Sequence, residues 1–556
     1  VTADGPDASA DQPQTAGVQQ RPHEEAATHP PVSVPGPPRT APPSALLAWD
    51  GHRSVQVNVD PNGNNIVGDA ANEPTISIDP SKPWRLVIGW RQFDSISSDF
   101  REAGYAWSRN AGYRWTFPGV LEQNFFRSDP VLGADAVGNF YYYSLTNVGG
   151  YSCQMFKSTD HGRTWVGPIQ AYGGDKQWMD IDRTGGVGHG HIYAAWDYAG
   201  CCGNNWFTRS VDGGTTWMPP IPIPLQPIWG TVAVGPDGEL YICGRANSSS
   251  SIWVVVRSDN AKYAGQAPVF NHSVQPNMGG THRYYLGSGT PNPAGLHGNV
   301  WIAVNHTSGP NRGHVYMLSS LRPSGSTDPM DVHFIRSTDH GATWSTPTRV
   351  NDDPQGTDKW NWFGTMSVAP NGRIDVVWYD TRNGPDYRWS QVYYTYSSDE
   401  GVTWAPSVSL SASFNSTVGF PQQNKIGDYI QMLSDDVGAS LAYSATFNGE
   451  EDIYFMRIGD DDCNGNGVAD PQDIAAGTLT DLNGNGIGDQ CEGLGDLNCD
   501  DRADFGDINP FVLALSDPAG YAVAYPDCYL INADIDGNGR VDFDDINPFV
   551  ALLSGY

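Results

Sequence analysis

The sequence predicts a mainly β protein: a closed, seven-bladed (alternatively six-bladed) β-propeller followed by a small module of helices and loops. Three observations predict this fold. Short β-branched and aromatic runs such as RLVIGW, HIYAAW and RIDVVWY are separated by turn signals such as DPSKP and GPDGE. An eight-residue unit recurs five times, and repetition of a short strand-rich unit is typical of radial architectures. The composition then changes sharply after Gly459.

Composition limits the classes of function. The 556 residues contain 62 acidic and 31 basic side chains, a net charge of −31, which disfavours binding to nucleic acid or anionic membranes. No run of 18 apolar residues is present, so no membrane span is predicted. Eight cysteines without a C-x-x-C pair indicate disulfides and an oxidising compartment. With Val1 interpreted as the start of a mature chain, we expect a secreted, extracellular or cell-surface protein.

Residues 1–48 form a proline-rich N-terminal arm. The first 45 residues contain ten prolines, no aromatic residue and no cysteine, so they cannot bury enough apolar surface to fold alone. The stretch PPVSVPGPPRTAPP favours an extended polyproline conformation. The arm is therefore predicted to be a flexible leader or linker, or a connector held by its own propeller or by a neighbouring molecule.

Residues 49–459 contain the repeated unit, whose pattern is S-x-D-x-G-x-T-W. The copies are SRNAGYRW at 108–115, STDHGRTW at 158–165, SVDGGTTW at 210–217, STDHGATW at 337–344 and SSDEGVTW at 397–404. Ser and Asp two residues apart can hydrogen-bond a turn, Gly supplies a positive φ, and Trp anchors the turn in the core. We therefore predict structural roles for Asp160, Trp165, Asp212, Trp217, Asp339, Trp344, Asp399 and Trp404.

The unit resembles the Asp-box, or bacterial neuraminidase repeat, of sialidase-like β-propellers. Sialidases have six blades, whereas the segments that look like innermost strands number seven here. They begin near Glu73, Asp129, Lys176, Trp229, Arg283, Phe363 and Asp428. The strand SVQVNV at 54–59 is predicted to close the ring by pairing with the last blade, which would remove the free sheet edges.

Catalytic residues do not follow from this resemblance. Sialidases use three arginines, a tyrosine assisted by glutamate, and an aspartate, but the expected first-blade arginine motif is replaced by NEPTISI. Whether the protein is an enzyme is left open. The catalytic candidates are Glu73, Asp129 and Asp428, which would converge in the channel, together with Arg283. Further arginines that could bind a substrate are Arg91, Arg245 and Arg382.

The acidic tail is predicted to bind several calcium ions. Residues 460–493 contain two D-x-N-x-N-G loops, with candidate ligands Asp462, Asn464, Asn466, Asp470 and Asp473, then Asp481, Asn483, Asn485, Asp489 and Glu492. Residues 494–556 contain two loops with EF-hand spacing, with candidate ligands Asp496, Asn498, Asp500, Asp504 and Asp507, then Asp534, Asp536, Asn538, Asp542 and Asp545. Asp501 replaces the usual turn glycine of the first of these. The last pair resembles a dockerin, which implies a helix after each loop and a cohesin-like partner.

The cysteines allow several pairings. Cys463 with Cys491 and Cys499 with Cys528 are candidate bridges of the tail. Cys201 and Cys202 form either a vicinal disulfide or two bridges to other partners such as Cys153 and Cys243.

Together these features predict a secreted, calcium-binding propeller that serves extracellular binding or assembly through its arm and its dockerin-like tail. Its partners would be other protein subunits, in self-assembly into a filament or surface layer or through a cohesin-like domain, and glycans. The alternatives are a glycoside hydrolase or lyase of the sialidase-like class and a non-catalytic glycan-binding lectin.

Overall fold

The computed structural model describes residues 27–31, 46–484, 486–500, 502–526 and 528–554. Most of the predicted arm and the predicted ligand Asn485 lie outside these residues. The predicted fold is confirmed, with seven blades rather than six, because seven antiparallel sheets surround one channel and, among the described residues, helices occur only after the last sheet. No helix in the described part of the chain is long and apolar enough to span a bilayer.

The blades follow one another in chain order. The chain begins with β1 (Leu46–Trp49) and β2 (His52–Gln56). Blade 1 contains β3 (Ala70–Ile78), β4 (Leu86–Phe93), β5 (Glu102–Ser108) and β6 (Thr116–Val120); blade 2 contains β7 (Ser128–Ala134), β8 (Phe140–Thr146), β9 (Ser152–Ser158) and β10 (Val166–Gln170); blade 3 contains β11 (Trp178–Ile181), β12 (Ile192–Ala195) and β13 (Phe207–Ser210). Blade 4 contains β14 (Pro227–Ile228), β15 (Val232–Val234), β16 (Leu240–Ala246), β17 (Ser249–Ser258) and β18 (His272–Val274); blade 5 contains β19 (Gly280–Thr281), β20 (Trp301–Val304), β21 (Val315–Pro323), β22 (Asp331–Ser337) and β23 (Thr348–Arg349). Blade 6 contains β24 (Asn361–Val368), β25 (Ile374–Asp380), β26 (Trp389–Ser397), β27 (Val408–Ser409) and β28 (Phe414–Asn415); blade 7 contains β29 (Gln431–Ser434), β30 (Gly438–Ala445) and β31 (Asp452–Gly459).

The ring is closed by its first strands, as predicted. Strand β2 pairs antiparallel with β31, with Ser54 opposite Met456 and Gln56 opposite Tyr454. Strand β1 then pairs with β2 as the outermost strand of blade 7. One sheet therefore combines both ends of the propeller sequence, and opening the ring would expose its unpaired strand edges.

The repeated turns share one hydrogen-bond pattern. In all five copies the hydroxyl of the first serine accepts the amide N–H of the turn glycine at 2.8–3.0 Å. In the four copies with aspartate, Oδ1 also accepts the N–H of the threonine four residues later. Blade 4 has a reduced version, in which Ser258 Oγ accepts from Ala261 and donates to Asn260.

The tryptophans of these turns join neighbouring blades. Trp165 of blade 2 lies 5.7 Å from Tyr105 of blade 1, Trp217 of blade 3 lies 6.0 Å from Tyr143 of blade 2, and Trp404 of blade 6 lies 5.2 Å from Phe334 of blade 5. Each therefore packs on the blade that precedes its own, and aromatic pairs at these separations are attractive beyond the area they bury.

The C-terminal module contains short helices and packs against blade 1. Its helices are α1 (Asp470–Ala476), α2 (Asp489–Glu492), α3 (Ile508–Ser516), α4 (Pro518–Ala524) and α5 (Ile546–Leu553), with 3-10 turns at Phe505–Asp507, Leu530–Ala533 and Phe543–Asp545. Phe511 of α3 stacks on Phe549 of α5 with centroids 4.1 Å apart. Tyr529 lies 6.3 Å from Trp107, and Arg109 donates to the carbonyl of Cys499. The module is thus attached to the propeller rather than tethered by a free linker.

Three disulfides are present. Two join the pairs considered for the tail, Cys463–Cys491 and Cys499–Cys528. The third is the vicinal bond Cys201–Cys202, which leaves Cys153 and Cys243 as buried thiols.

Candidate functional site

The innermost strands enter the channel through an unusual backbone conformation. The residues Glu73, Asp129, Lys176, Trp229 and Phe363 all have positive φ, between 45° and 57°. A register shift follows in β3, β7 and β24, where the strand steps toward the channel. A positive φ costs free energy in a residue that carries a side chain. Its repetition in five blades therefore indicates that the packing of the ring imposes this conformation. Gly298 and Gly427, at 126° and 96°, occupy the corresponding places in blades 5 and 7.

Contrary to the sequence prediction, Arg283 does not begin an innermost strand. The segment RYYLGSG looked like an innermost strand, but the innermost strand of blade 5 is β20, eighteen residues later. The aromatic residues that suggested a strand pack elsewhere: Tyr284 lies 4.5 Å from Trp229, and the Tyr285 N–H donates to Gly295 inside a loop. Arg283 therefore does not share the register of the other channel residues.

Glu73, Asp129 and Asp428 come together in a buried ionic cluster. The Lys176 ammonium lies 2.9 Å from both Asp129 Oδ2 and Asp428 Oδ2, and 3.1 Å from Asp175 Oδ1. The Lys425 ammonium lies 2.6 Å from Asp428 and 3.2 Å from Glu73, so it connects these two carboxylates. Arg91 also lies 3.2 Å from Glu73. The three carboxylates have no exposed area. Sequence reasoning placed Lys176 in this register but not its role as the common partner.

Opposite charges dominate the electrostatics at Lys176 and Asp129, whereas burial dominates at Glu73. Burial alone would lower the pKa of Lys176, but the charges of Asp129, Asp175 and Asp428 raise it well above its usual range. Burial raises the pKa of Glu73 to about 8 against the opposing charges of Arg91 and Lys425. The pKa of Asp129 is lowered, because Lys176 and Arg91 outweigh the effect of burial. In this conformation a substrate has no access to the carboxylates.

The other candidate arginines differ in their partners. Arg91 Nε donates to Asn72 at 2.7 Å, in addition to its contact with Glu73. Arg382 stacks over Tyr393 at 4.2 Å and pairs with Asp380 at 2.8 Å and Asp352 at 2.7 Å. Arg245 stacks over Trp229 at 3.9 Å but forms no ion pair with any described residue.

The far end of the channel is a cavity that sequence reasoning did not predict. It has a volume of about 430 Å³ and is lined by the innermost strands of all seven blades. Trp178 lies in its wall, edge-on to Trp301 at 5.2 Å and to Tyr429 at 5.5 Å. Trp178 and Trp301 contribute to the apolar lining of the channel.

A short piece of the arm is held by the propeller. Both oxygens of Asp99, in the loop after β4, accept hydrogen bonds from residues 28 and 29 at 2.7–2.9 Å. The donors are the backbone and hydroxyl of Thr28 and the backbone and ring nitrogen of His29. At this point the arm contacts its own propeller.

The tail loops are organised by their own carboxylates. In the last loop Asp534 accepts the N–H groups of Asn538 and Gly539, and Asp545 accepts those of Ile535 and Asp536. In the preceding loop Asp496 accepts from Asp500, and Asp507 accepts from Leu497 and Asn498. Both loops thus fold around their first and twelfth residues, and Asp504 and Asp542 cap the 3-10 turns that follow.

The two upstream loops are closed differently. Asp470 accepts the N–H of Cys463, and Asp489 accepts that of Leu482, so the ninth residue performs the closing role. The twelfth residues, Asp473 and Glu492, instead accept from asparagine side chains of the loop.

The module exposes one apolar pattern twice. Phe505 and Phe543 are 76% and 77% exposed, Val512 and Val550 are 55% and 56% exposed, and Ile508 and Ile546 are 40% and 39% exposed. Each pair is separated by 38 residues, the offset of the sequence repeat. We call these six side chains the duplicated patch.

These features define a class of protein: a seven-bladed β-propeller with a C-terminal module of oxygen-rich loops. Solved structures with a similar fold include a lectin from Burkholderia pseudomallei (14% identity, 65% of this chain and 92% of that chain, TM-score 0.41). They also include a polysaccharide lyase described as an ulvan lyase (12% identity, 73% of this chain and 96% of that chain, TM-score 0.42). A third is a Hadza microbial sialidase (14% identity, 67% of this chain and 76% of that chain, TM-score 0.36). No protein-family model and no curated protein matches the chain.

Proposed function

We propose that this protein is an extracellular, calcium-loaded propeller that serves in assembly, docking a protein partner through its C-terminal module. The observation that carries the proposal is the duplicated patch. Large apolar side chains of soluble proteins are normally scattered singly, whereas here three are exposed to matching extents in each of two repeats. A pattern kept twice in this way is typical of a binding surface.

The charge of the chain indicates which partner fits. Residues 460–556 contribute −18 of the total −31, which leaves −13 for residues 1–459. Two copies of this chain would therefore repel each other, even with several divalent cations bound. We infer a different protein whose apolar surface is surrounded by basic residues, in agreement with the cohesin-like partner that the dockerin resemblance implies.

The donor set of the loops fits calcium. The carboxylate oxygens of Asp534, Asp536 and Asp545 lie within 4.8 Å of one another, and hard oxygen ligands of this type suit calcium. The bound ion would neutralise these converging charges. Asp534 and Asp545 would hold the loop around it through the N–H groups that they already accept.

A binding experiment tests this function. A panel of purified cohesin domains is titrated with the full chain by calorimetry, in calcium and in chelator. We expect binding in calcium only, and a loss of about tenfold or more for the double variant Phe505→Ser, Phe543→Ser, because large buried anchors dominate interface energies. Val523→Ser is the matched control, since Val523 is 82% exposed but lies outside the patch.

Two outcomes contradict the proposal. Binding that survives chelator or the double variant would exclude the calcium-loaded patch as the docking surface. Sedimentation velocity of the chain alone should show a monomer in calcium. Calcium-dependent self-association through the patch would make a second copy the partner and refute the charge argument.

A further inference from the structure

We propose that Arg245 forms a binding site for a carboxylate carried by a small polar ligand such as a uronic acid, in the propeller and apart from the C-terminal module. Arg245 ends β16 and is 1% exposed. Its Nη1 donates to the carbonyls of Ala246 and Asn247, whereas Nε and Nη2 have no partner among the described residues. The N–H groups on Nε and Nη2 point in the same direction, and together they can donate two parallel hydrogen bonds to the two oxygens of one carboxylate.

The same side of other arginines in this chain is occupied by a carboxylate. Arg373 donates from Nε and Nη2 to the two oxygens of Asp375 at 2.8 and 3.0 Å. Arg382, which stacks on a tyrosine much as Arg245 stacks on Trp229, contacts Asp380 through Nε and Nη2 at 2.8 Å. The planar fork of Arg245 therefore has the geometry of these pairs without the acid.

Comparison of blades 1 and 4 shows which residue stands in the place of the acid. Arg91 pairs across its blade with Asn72, and Arg245 pairs in the same way with Ile228. The next residue in each inner strand has positive φ, and it is Glu73 in blade 1 and Trp229 in blade 4. Glu73 lies 3.2 Å from Arg91. In blade 4 an indole takes the place of that carboxylate, and its Nε1 donates to Asp197 at 3.0 Å. Asp197 acts on Arg245 electrostatically but forms no ion pair with it, so Nε and Nη2 remain for an anion from outside.

The surroundings of Arg245 suit an anion with an organic body. The guanidinium lies between the rings of Trp229 at 3.9 Å and Tyr284 at 5.0 Å. Tyr284 and Tyr198 are only partly buried, and both act electrostatically on Arg245. Burial and the charge of Arg245 lower the pKa of the neighbouring His282 to about 4. Burial also lowers the pKa of Arg245 itself, although Tyr284, Tyr198 and Asp197 oppose this effect. Buried N–H groups of a cation that lack an acceptor are unfavourable, and a bound carboxylate would accept from Nε and Nη2.

Calorimetric titration with D-glucuronate, and with D-glucose as the neutral counterpart, tests the site in the full chain. We expect a Kd of about 1 mM or tighter for glucuronate and no measurable binding of glucose. Arg245→Met should weaken glucuronate binding about tenfold or more, and Arg245→Lys, which keeps the charge but not the fork, should weaken it similarly. Arg373→Met, which removes an arginine whose fork is already occupied by Asp375, is the matched control and should leave the affinity unchanged.

Thermal unfolding without ligand provides a second readout. Arg245→Met should maintain or raise the Tm, because it removes a buried cation that has no ion-pair partner, whereas Arg373→Met should lower the Tm by leaving the buried carboxylate of Asp375 without its cation. The proposal is overturned if the unmodified chain does not bind glucuronate, if glucose binds equally well, or if Arg245→Met and Arg245→Lys bind glucuronate within twofold of the unmodified chain.

Discussion

Replacing Lys176 by methionine should destabilise the propeller more than any surface substitution. The Lys176 ammonium is buried and contacts Asp129, Asp175 and Asp428 within 3.1 Å. Methionine fills a similar volume but supplies no charge. The variant therefore leaves three carboxylates facing one another in the channel, with Lys425 still contacting Asp428.

The expected magnitude follows from the burial of the cluster. Removing one partner of a buried ion pair costs about 3–5 kcal/mol, since it leaves an uncompensated buried charge. An unfolding entropy of about 2.1 cal/mol/K per residue gives about 0.9 kcal/mol/K for a propeller of roughly 410 residues. The Tm should therefore fall by about 3–6 °C.

The effect should depend on pH in a defined direction. Because the pKa of Lys176 is raised in the folded state, its contribution to the free energy of unfolding is complete below about pH 10, which is its pKa in the unfolded chain. This contribution is lost as the pH rises through the pKa of the folded state. The lowered pKa values of Asp129 and Asp428 mean that their contribution is complete above about pH 4 and is lost as the pH falls. The variant should thus be most destabilised between these limits and least destabilised in acid.

Differential scanning calorimetry at neutral and acidic pH measures this prediction. Lys359→Met, which removes a partly exposed lysine with one hydrogen bond to Gly384, is the control and should change the Tm by less than about 1 °C. A Tm of Lys176→Met equal to that of the unmodified chain at neutral pH would refute the assignment of Lys176 as the charge that holds the channel carboxylates. Adding Asp129→Asn should recover part of the loss.

Four further predictions concern other parts of the chain. Chelation of calcium should unfold residues 460–556 and leave the main propeller transition unchanged, as two separable transitions in calorimetry; a single unaffected transition would contradict this. Asp339→Ala should cost about 1–3 kcal/mol in denaturant unfolding, because it removes three hydrogen bonds of one turn; no change would show that the turn does not depend on them. Thiol labelling of the unfolded, unreduced chain should find two groups, Cys153 and Cys243; labelling of Cys201 or Cys202 would contradict the vicinal bond. Asp99→Asn should speed proteolysis of the arm; because hydrogen bonds from Thr28 and His29 lower the pKa of Asp99 against the effect of burial, the anchor should also be lost in the unmodified chain as the pH falls below about 4.

The duplicated patch and the Arg245 site lie in different parts of the molecule and rest on different observations. The patch is a feature of the C-terminal repeats, whereas Arg245 is a feature of blade 4. A chain that binds a partner through its tail and a carboxylate through its propeller would link the two. Each site is tested by variants that leave the other intact.

The sequence by itself determined the architecture, because the interactions that specify it are local. The serine hydroxyl and the glycine N–H of each repeated turn lie four residues apart, as do the aspartate and threonine that follow. Such contacts form wherever the pattern occurs, so the number of turns, the mainly β fold and the helix that follows each of the last two loops could be read from residue spacing. The closing residue of the two upstream loops could not, because it is the ninth residue there and the twelfth in the last two loops. Ring closure also followed, since SVQVNV alternates like a strand and had no other partner.

The tertiary structure alone decided what the channel residues do. Lys176 of blade 3 meets Asp129 of blade 2 and Asp428 of blade 7, and no spacing within the chain predicts that three blades aim these groups at one point. The same is true of Arg245, whose missing acid is visible only when blade 4 is compared with blade 1. The dependence on tertiary packing also explains why the prediction for Arg283 was wrong. The aromatic run after Arg283 is typical of a strand, but it packs on Trp229 instead of joining the sheet. Ionic partners and side-chain stacking depend on the closure of the ring, and the residues that it joins are far apart in sequence.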